Sequence, residues 1–371
     1  MKKAFVSVIN DLVTDQRVHK SCLTLTKAGF KVLLVGRVLH NSPPMPERPY
    51  DCKRMRLLFE KGPLFYAEFN LRLFFLLFWH RADILLANDL DTLLPNFLIS
   101  RLRKRPLIFD SHEYFTETPE LVNRKLKQKI WKNIEKFVVS RLDEMITVND
   151  SIANLFRHEY GLKVHVIRNL PLKYTPFNVL SRNDLHLPVH KKILILQGSG
   201  INVDRGAEEL VMAMKQLPEL LLLIIGGGDV IKSLHEMVEI NGLQQQVTFL
   251  PRMPYAQMMQ YTQNADLGLT LDKDTNLNYR LSLPNKIFDY IQAGIPVLAS
   301  PLPEIKKIID TYDLGTFVIN HDPEMIASAI KQVFDDSDRL QQWQKNTIKA
   351  AKELCWENEE NILLNIYGQY N

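Results

Sequence analysis

At 371 residues the chain exceeds what one hydrophobic core usually serves, so two domains of ordinary size are expected. With 46% hydrophobic and 24% charged residues the composition is globular, which excludes disordered, collagen-like and fibrous classes. The net charge of +4 conceals a division, because residues 1–180 hold 29 Lys/Arg against 18 Asp/Glu while 181–371 hold 17 against 24. That asymmetry predicts an anionic or membrane-facing partner for the first half alone.

Along the chain, short runs rich in Val, Ile and Leu alternate with helix-length amphipathic segments. Residues 3–9, 31–36, 83–87, 106–109, 144–148 and 163–167 read as buried parallel strands. Helices are expected between them at 15–28, 64–80, 92–103, 119–140 and 150–160, with Gly29 closing the first and Asp150 or Ser151 capping the last. The stretch 71–79 (LRLFFLLFW) is far shorter than the roughly 20 apolar residues that cross a bilayer. It reads as a buried amphipathic helix, with a helix lying in a membrane interface as the sharper alternative.

The rhythm weakens over 169–190, where three prolines mark a linker, and then restarts. Strands are expected at 192–197, 219–225, 246–250, 265–270 and 296–299. Helices are expected at 207–217, 229–241, 255–264, 284–293, 302–310, 323–334, 338–354 and 356–370. The fold class is α/β, two Rossmann-like doubly wound domains facing a central cleft. The predicted organisation is a first domain over 1–172, a linker over 173–190, a second domain over 191–354, and a helix over 355–371 that returns to the first domain.

Nothing in 1–9 makes a secretory signal, since the apolar run 4–9 is too short, and Cys22, Cys52 and Cys355 form neither a disulfide framework nor a zinc pattern. A cytoplasmic setting is therefore expected. Absent motifs narrow the chemistry further. There is no G-x-x-x-x-G-K-[ST], no G-x-S-x-G, and no second histidine beside His112-Glu113 for a zinc protease. Gly198-Ser199-Gly200 lacks the third glycine of a dinucleotide fingerprint.

Three features follow strands of the second half. Gly198-Ser199-Gly200 through Arg205-Gly206 offers glycine amides and a guanidinium to an anion, although an ordinary βα turn would carry the same letters. Gly226-Gly227-Gly228 permits close backbone approach, with Asp229 expected to cap the next helix. Asn285 and Lys286 open a helix after Pro284, with Asp289 one turn on; a lysine there opposes the helix dipole, so either an anion lies between Lys286 and Asp289 or the lysine is solvated and the aspartate merely belongs to a helix start. In the first half, His112 at a strand end suits a hydrogen-bond donor or general base. Asp15 and Arg17 lie on the first βα loop, where Arg17 meets either a phosphate or Asp15 at the surface.

Together these positions resemble the family 4 ("group 1") sugar-nucleotide-dependent glycosyltransferases of the GT-B fold. Asp15-Gln16-Arg17-Val18, Asn88-Asp89-Leu90-Asp91, Asp110-Ser111-His112-Glu113, the Gly198–Arg205-Gly206 loop and 283–299 (LPNKIFDYIQAGIPVLA) carry the resemblance in the family's order. It implies that Gly198, Ser199, Arg205, Asn285 and Lys286 hold a diphosphate, that Gly226, Gly227, Gly228 and Arg252 border the base, and that Asp289 meets the ribose. His112 and Glu113 would be catalytic, and Asp15 and Arg17 would lie on the acceptor side. The family's Glu-x7-Glu pair is altered here, with Leu281 at its first position and Asp289 at its second.

The implied function is transfer of a sugar from a nucleotide-diphosphate sugar to a lipid-linked or glycan acceptor, in surface polysaccharide synthesis. No metal or other cofactor is expected, and Asp89-Leu90-Asp91 and Asp272-Lys273-Asp274 read as loop and cap residues. Domain closure would exclude water from the reaction. The basic first half, with 101–105 and 124–136, would meet an anionic membrane surface. Nucleic acid is not an expected partner, for want of aromatic-interleaved basic runs. The competing class is a two-domain protein that binds a nucleotide sugar or small ligand without chemistry.

Overall fold

A computed structural model describes residues 1–173 and 179–371; residues 174–178 belong to the stretch read as linker, and that part of the reading lies outside the described residues. The described residues form two compact units, Met1–Asn169 with Asn358–Asn371, and Leu170–Glu357.

The first unit is built on a parallel sheet of β1 (Lys3–Asp11), β2 (Lys31–Val38), β3 (Asp51–Arg56), β4 (Ile84–Asn88), β5 (Leu107–Ser111), β6 (Glu144–Thr147) and β7 (Lys163–Val166). Their spatial order is β3-β2-β1-β4-β5-β6-β7. Its helices are α1 (Gln16–Lys27), α2 (Gly62–Trp79), α3 (Leu90–Arg103), α4 (Pro119–Val122), α5 (Lys125–Val139) and α6 (Asp150–Tyr160). The chain leaves β1 in one direction for β2 and returns on its other side as β4, so the sheet's order reverses between β1 and β4. In open sheets of this kind, ligands bind beyond the strands' carboxyl ends at that reversal.

The second unit has β8 (Lys192–Gly198), β9 (Leu220–Gly226), β10 (Val247–Leu250), β11 (Leu267–Thr270), β12 (Val297–Ala299) and β13 (Gly315–Phe317), in the order β10-β9-β8-β11-β12-β13. Here the reversal lies between β8 and β11. Its helices are α7 (Ala207–Ala213), α8 (Ile231–Ile240), α9 (Tyr255–Gln263), α10 (Leu277–Arg280), α11 (Asn285–Ala293), α12 (Pro303–Tyr312), α13 (Pro323–Asp335) and α14 (Ser337–Glu353); α15 (Trp356–Gly368) follows. Strand side chains alternate between two cores, as the two-residue period requires. Leu194, Leu196, Leu222 and Ile224 fill one face, while Ile193, Ile195, Leu221 and Leu223 fill the other.

Residues 358–371 pack on the first unit through specific polar contacts. Glu359 accepts from the backbone amide and Nε of Arg168, Glu360 accepts from Thr24 Oγ1 and Lys27 Nζ, and the Tyr370 hydroxyl donates to Glu144.

Several local expectations need correction. The strands β3 and β13 were not expected. β3 reads DCKRMR, and an edge strand with that many charges carries no apolar signature. The single helix expected over 119–140 is two, α4 and α5, parted at Asn123 and Arg124. Asn149, not Asp150 or Ser151, caps α6 by accepting from the Ile152 amide. Asp229 does not cap α8, whose cap position is Val230; the Asp229 amide instead donates to Asn202. In α2, Phe65, Phe69, Leu73 and Leu77 pack with Phe5, Ile9 and Val35 of the sheet. The opposite face leaves Leu64, Leu71, Phe75 and Trp79 exposed, so the helix is apolar on both sides.

Candidate functional site

Each unit carries a polar cluster at its own strand reversal. In the first, His112 follows β5 and Asp89 follows β4. The His112 amide donates to Asp89 Oδ1 at 2.8 Å, and its ring Nδ1 lies 3.1 Å from Asp89 Oδ2. Nε2 stands 3.4 Å from Asp110 Oδ2, but poorly aligned, and makes no hydrogen bond among the described residues. Burial by itself would push the imidazole's pKa down, yet Asp89 and Asp110 outweigh it and raise the pKa to about 10. At neutral pH the ring is therefore an imidazolium with an N–H to give. It is a hydrogen-bond donor, and in that state it cannot take up a proton.

Asp89 adopts φ +61°, a conformation that side-chain-bearing residues rarely take and that costs on the order of 1–3 kcal/mol. The strain turns its carboxylate back onto His112. Asp91 is buried beside it with Oδ1 unbonded; burial first, then the Asp89 charge, pushes its pKa well above the ordinary range. Asp89 does stand at the cap position of α3, but its carboxylate meets His112 instead of the helix amides.

Arg17 meets neither Asp15 nor a surface phosphate. Only 4% exposed, it donates to Asp110 through Nε and Nη2 at 3.2 and 2.7 Å, and to the Ile167 carbonyl through Nη1. Burial works against the Asp110 charge, but Arg17 and His112 prevail and hold that carboxyl well below the usual range. Asp15 caps α1, accepting from the Val18 amide, and also accepts from Asn10. The acceptor-side pair thus performs internal work: one residue starts a helix, and the other fixes the carboxylate that faces His112. Glu113 lies on the wall of a half-open cavity bordered by α2, α4 and α5.

In the second unit, the glycines have a steric cause. A Cβ on Gly226, at φ +126°, would fall 1.9 Å from the Gly198 carbonyl, and one on Gly206 would fall 2.3 Å from the Leu271 carbonyl. The ends of β8 and β9 can meet, and the turn before α7 can approach the residue after β11, only without side chains. Gly227 also donates its amide to Gly198. Arg252 lies over Gly227 and donates through Nη2 to the Ser199 carbonyl at 2.7 Å, bracing that loop.

Beyond the carboxyl end of β11 stands Asp272, fully buried. Arg205 donates to its Oδ2 through Nη1 at 2.8 Å, and Lys286 Nζ approaches Oδ1 at 3.7 Å. An anion beside Lys286 is therefore supplied by the chain itself. Arg205 also stacks over the Tyr279 ring at 4.0 Å, and its Nε has no hydrogen-bond partner among the described residues. Burial lowers the Lys286 pKa, with Asp272 opposing. Two cations and one carboxylate leave a net positive centre at the N-terminus of α11, which begins at Asn285 with no side-chain cap. Such a centre attracts a further anion. Asp274, the other half of that Asp-x-Asp, turns away to Arg280.

Asp289, one turn into α11, accepts from Gln197 Nε2 at 3.1 Å and the Tyr255 hydroxyl at 3.0 Å; Gln197 in turn accepts from Thr262. Gln197, Tyr255 and Tyr279 are not among the expected site residues, and Asp89 and Asp272, each in an Asp-x-Asp pair just beyond a strand, read as loop and cap residues.

The comparisons with known proteins follow the same division. The family model "Glycosyl transferases group 1" matches residues 181–350, and "Glycosyltransferase Family 4" matches 16–170. The D-inositol 3-phosphate glycosyltransferase of Corynebacterium diphtheriae is 24% identical over 198 residues, 51% of this chain and 45% of that relative, so the chain spans about half the length of the curated relatives it matches. Among solved structures, sucrose-phosphate synthase from Thermosynechococcus elongatus has TM-score 0.80 at 18% identity, covering 100% of this chain and 99% of that one. Anabaena HepE, in complex with UDP-glucose, has TM-score 0.74 at 15% identity, covering all of both chains. The chain belongs to family 4 of the glycosyltransferases and has their GT-B fold.

Proposed function

We propose that the protein transfers a hexose from a nucleoside-diphosphate sugar to a lipid-linked or glycan acceptor, as a step in surface polysaccharide synthesis. The observation that carries this is the buried Arg205–Asp272–Lys286 group, a net positive centre at the α11 N-terminus. Breaking the bond between the sugar and its diphosphate builds negative charge on the leaving group. Arg205, Lys286 and the α11 amides would neutralise that charge from fixed positions, without reorganising at the moment of reaction. Asn285 and Gly198 would complete the diphosphate seat, the Ser199–Arg252 and Gly226–Gly228 turns would border the base, and Asp289 would meet the ribose. The UDP-glucose bound by the HepE structure supports this class of donor.

In the first unit, His112 would donate from Nε2 to a hydroxyl of the transferred sugar, with Asp89 and Asp110 keeping it charged. Glu113 would face the acceptor, and Asp15 and Arg17 would hold the acceptor side in shape. The basic helix α5 and the exposed apolar residues of α2 support peripheral contact with an anionic membrane at its cytoplasmic face. Among the described residues no helix is long and apolar enough to cross a membrane.

The direct test is calorimetric titration with UDP, GDP, ADP and their hexose conjugates. One nucleoside diphosphate should bind at micromolar levels and its sugar should be turned over with a lipid acceptor. Failure of every nucleotide to bind would reject the reading.

A further inference from the structure

The first unit contains a cavity of about 800 Å³ that the donor chemistry does not use. It lies wholly among residues of that unit, between α2, α4 and α5, and reaches Glu113, the residue after His112. Its volume is in the upper part of the range of small-molecule sites. Phe65, Tyr66, Phe115, Leu121, Trp131 and Ile134 make much of its wall. Tyr66 and Phe115 each set an edge against Trp131, at ring separations of 5.3 and 5.2 Å, so the aromatic wall is fixed by its own packing.

Cations stand on the same wall. Arg37, Lys61, Arg124 and Lys127 line the cavity, together with the carboxylates Glu60, Glu113 and Glu120. Arg37 lies over the Phe65 ring at 4.7 Å, and its Nε, shut off from solvent, has no hydrogen-bond partner among the described residues. Gly62 and Pro63, the first residues of α2, also face the cavity, and that helix begins with no side-chain cap. A helix N-terminus and a guanidinium with an unbonded Nε both favour an anion.

We infer that this cavity binds a phosphate-bearing lipid: the apolar chain lies against the aromatic wall, and the phosphate meets Arg37, the α2 N-terminus and the Arg124–Lys127 pair. This deepens the proposed function by choosing a lipid acceptor over a free glycan, and it rests on that reading. A sugar can stack a C–H face on one ring, but it leaves the aliphatic Leu94, Leu121 and Ile134 of the lining and the apolar surface beyond them uncovered. A lipid chain covers the lining and continues over neighbouring apolar surface, where Leu64 of α2 and Leu126 and Ile130 of α5 are more than half exposed.

The test is calorimetric titration of the full chain with dodecyl phosphate below its micelle concentration, with dodecanol and inorganic phosphate as comparisons. Dodecyl phosphate should bind at one site, and inorganic phosphate should not compete at equal concentration. Ala67→Trp, which places bulk at an exposed position on the cavity wall, should weaken binding by roughly tenfold or more, equivalent to losing about two buried methylenes. Arg124→Ser with Lys127→Ser should weaken dodecyl phosphate and leave dodecanol unchanged. Both variants should keep the wild-type melting temperature and nucleoside-diphosphate affinity, which separates cavity loss from misfolding. Unchanged dodecyl phosphate affinity in Ala67→Trp, or equal loss of both amphiphiles in the charge variant, would overturn the assignment. Absence of amphiphile binding while UDP or another nucleotide still binds would overturn this inference and leave the donor reading standing.

Discussion

Arg205 donates to Asp272 through Nη1 at 2.8 Å, and the carboxylate it meets is wholly withdrawn from solvent. A buried anion between two cations costs desolvation, which the attraction offsets only while all three remain. Asp272→Asn leaves Arg205 and Lys286 facing each other with no counter-charge. Thermal unfolding should occur well below wild type, consistent with a loss of about 3–5 kcal/mol for breaking a buried pair. Pyrophosphate should then restore more stability to the variant than it adds to wild type, because the ligand replaces the missing charge. Equal gains in both would place the diphosphate elsewhere.

Arg205→Ala and Lys286→Ala should each weaken nucleoside-diphosphate binding by roughly 10- to 100-fold, the worth of a charge-assisted hydrogen bond of about 1.5–3 kcal/mol. Each variant should also unfold below wild type, since Asp272 loses a partner, while circular dichroism at room temperature still shows the fold. Wild-type affinity in both variants would remove these residues from the donor site.

His112→Ala should lower kcat with little change in donor affinity, measured by steady-state kinetics beside direct titration. Its pH behaviour follows from a pKa raised to about 10 from an ordinary 6.5. A raised pKa means stability that is complete below about 6.5 and lost as pH rises through about 10. Wild type should therefore lose a few kcal/mol of stability across that alkaline window, and His112→Gln should lose much less. The kcat of wild type should hold from neutral pH to about 9 and fall above it, as the imidazolium loses its proton. A kcat that rises through pH 6–7 would indicate a base instead.

Transfer should persist in excess EDTA, since in the proposed function Arg205, Lys286 and the α11 N-terminus neutralise the leaving group in place of a metal ion. Activity abolished by EDTA and recovered with a divalent cation would refute that division of roles.

Neutralising the exposed Lys125, Lys129 and Lys136 of α5 should abolish most binding to anionic vesicles in sedimentation, at about 1 kcal/mol per lysine. Binding to neutral vesicles should not change. Full retention on anionic vesicles would mean that α5 does not face the membrane.

The fold was legible because parallel strands announce themselves. β4 and β9 are nearly unbroken apolar runs, buried throughout or almost so. β3 escaped notice because an edge strand, paired on one side only, can be made of charged residues. Residues that share a local motif, as in Gly198–Gly206 and Asn285–Asp289, could be set on their loop and helix start from the letters alone. Relationships across the sequence were not. Arg17 finds Asp110 across 93 positions and Arg205 finds Asp272 across 67, distances over which letters carry no pairing rule. For that reason Arg17 read as meeting either a phosphate or Asp15 at the surface, and Asp272 as a loop or cap residue. The strained φ of Asp89 has no sequence signature either, since any L-residue but glycine would pay the same steric cost there.

The contacts of residues 358–371 with the first unit set an order of assembly. A ribosome releases the first unit's sheet early, but Glu359, Glu360 and Tyr370 emerge only after the whole second unit has been made. Until then Arg168 and Lys27 lack Glu359 and Glu360, and Glu144 has His165 and Lys163 but not Tyr370. The unit begun first is thus the one finished last, and a nascent chain must carry an incomplete half while its neighbour folds.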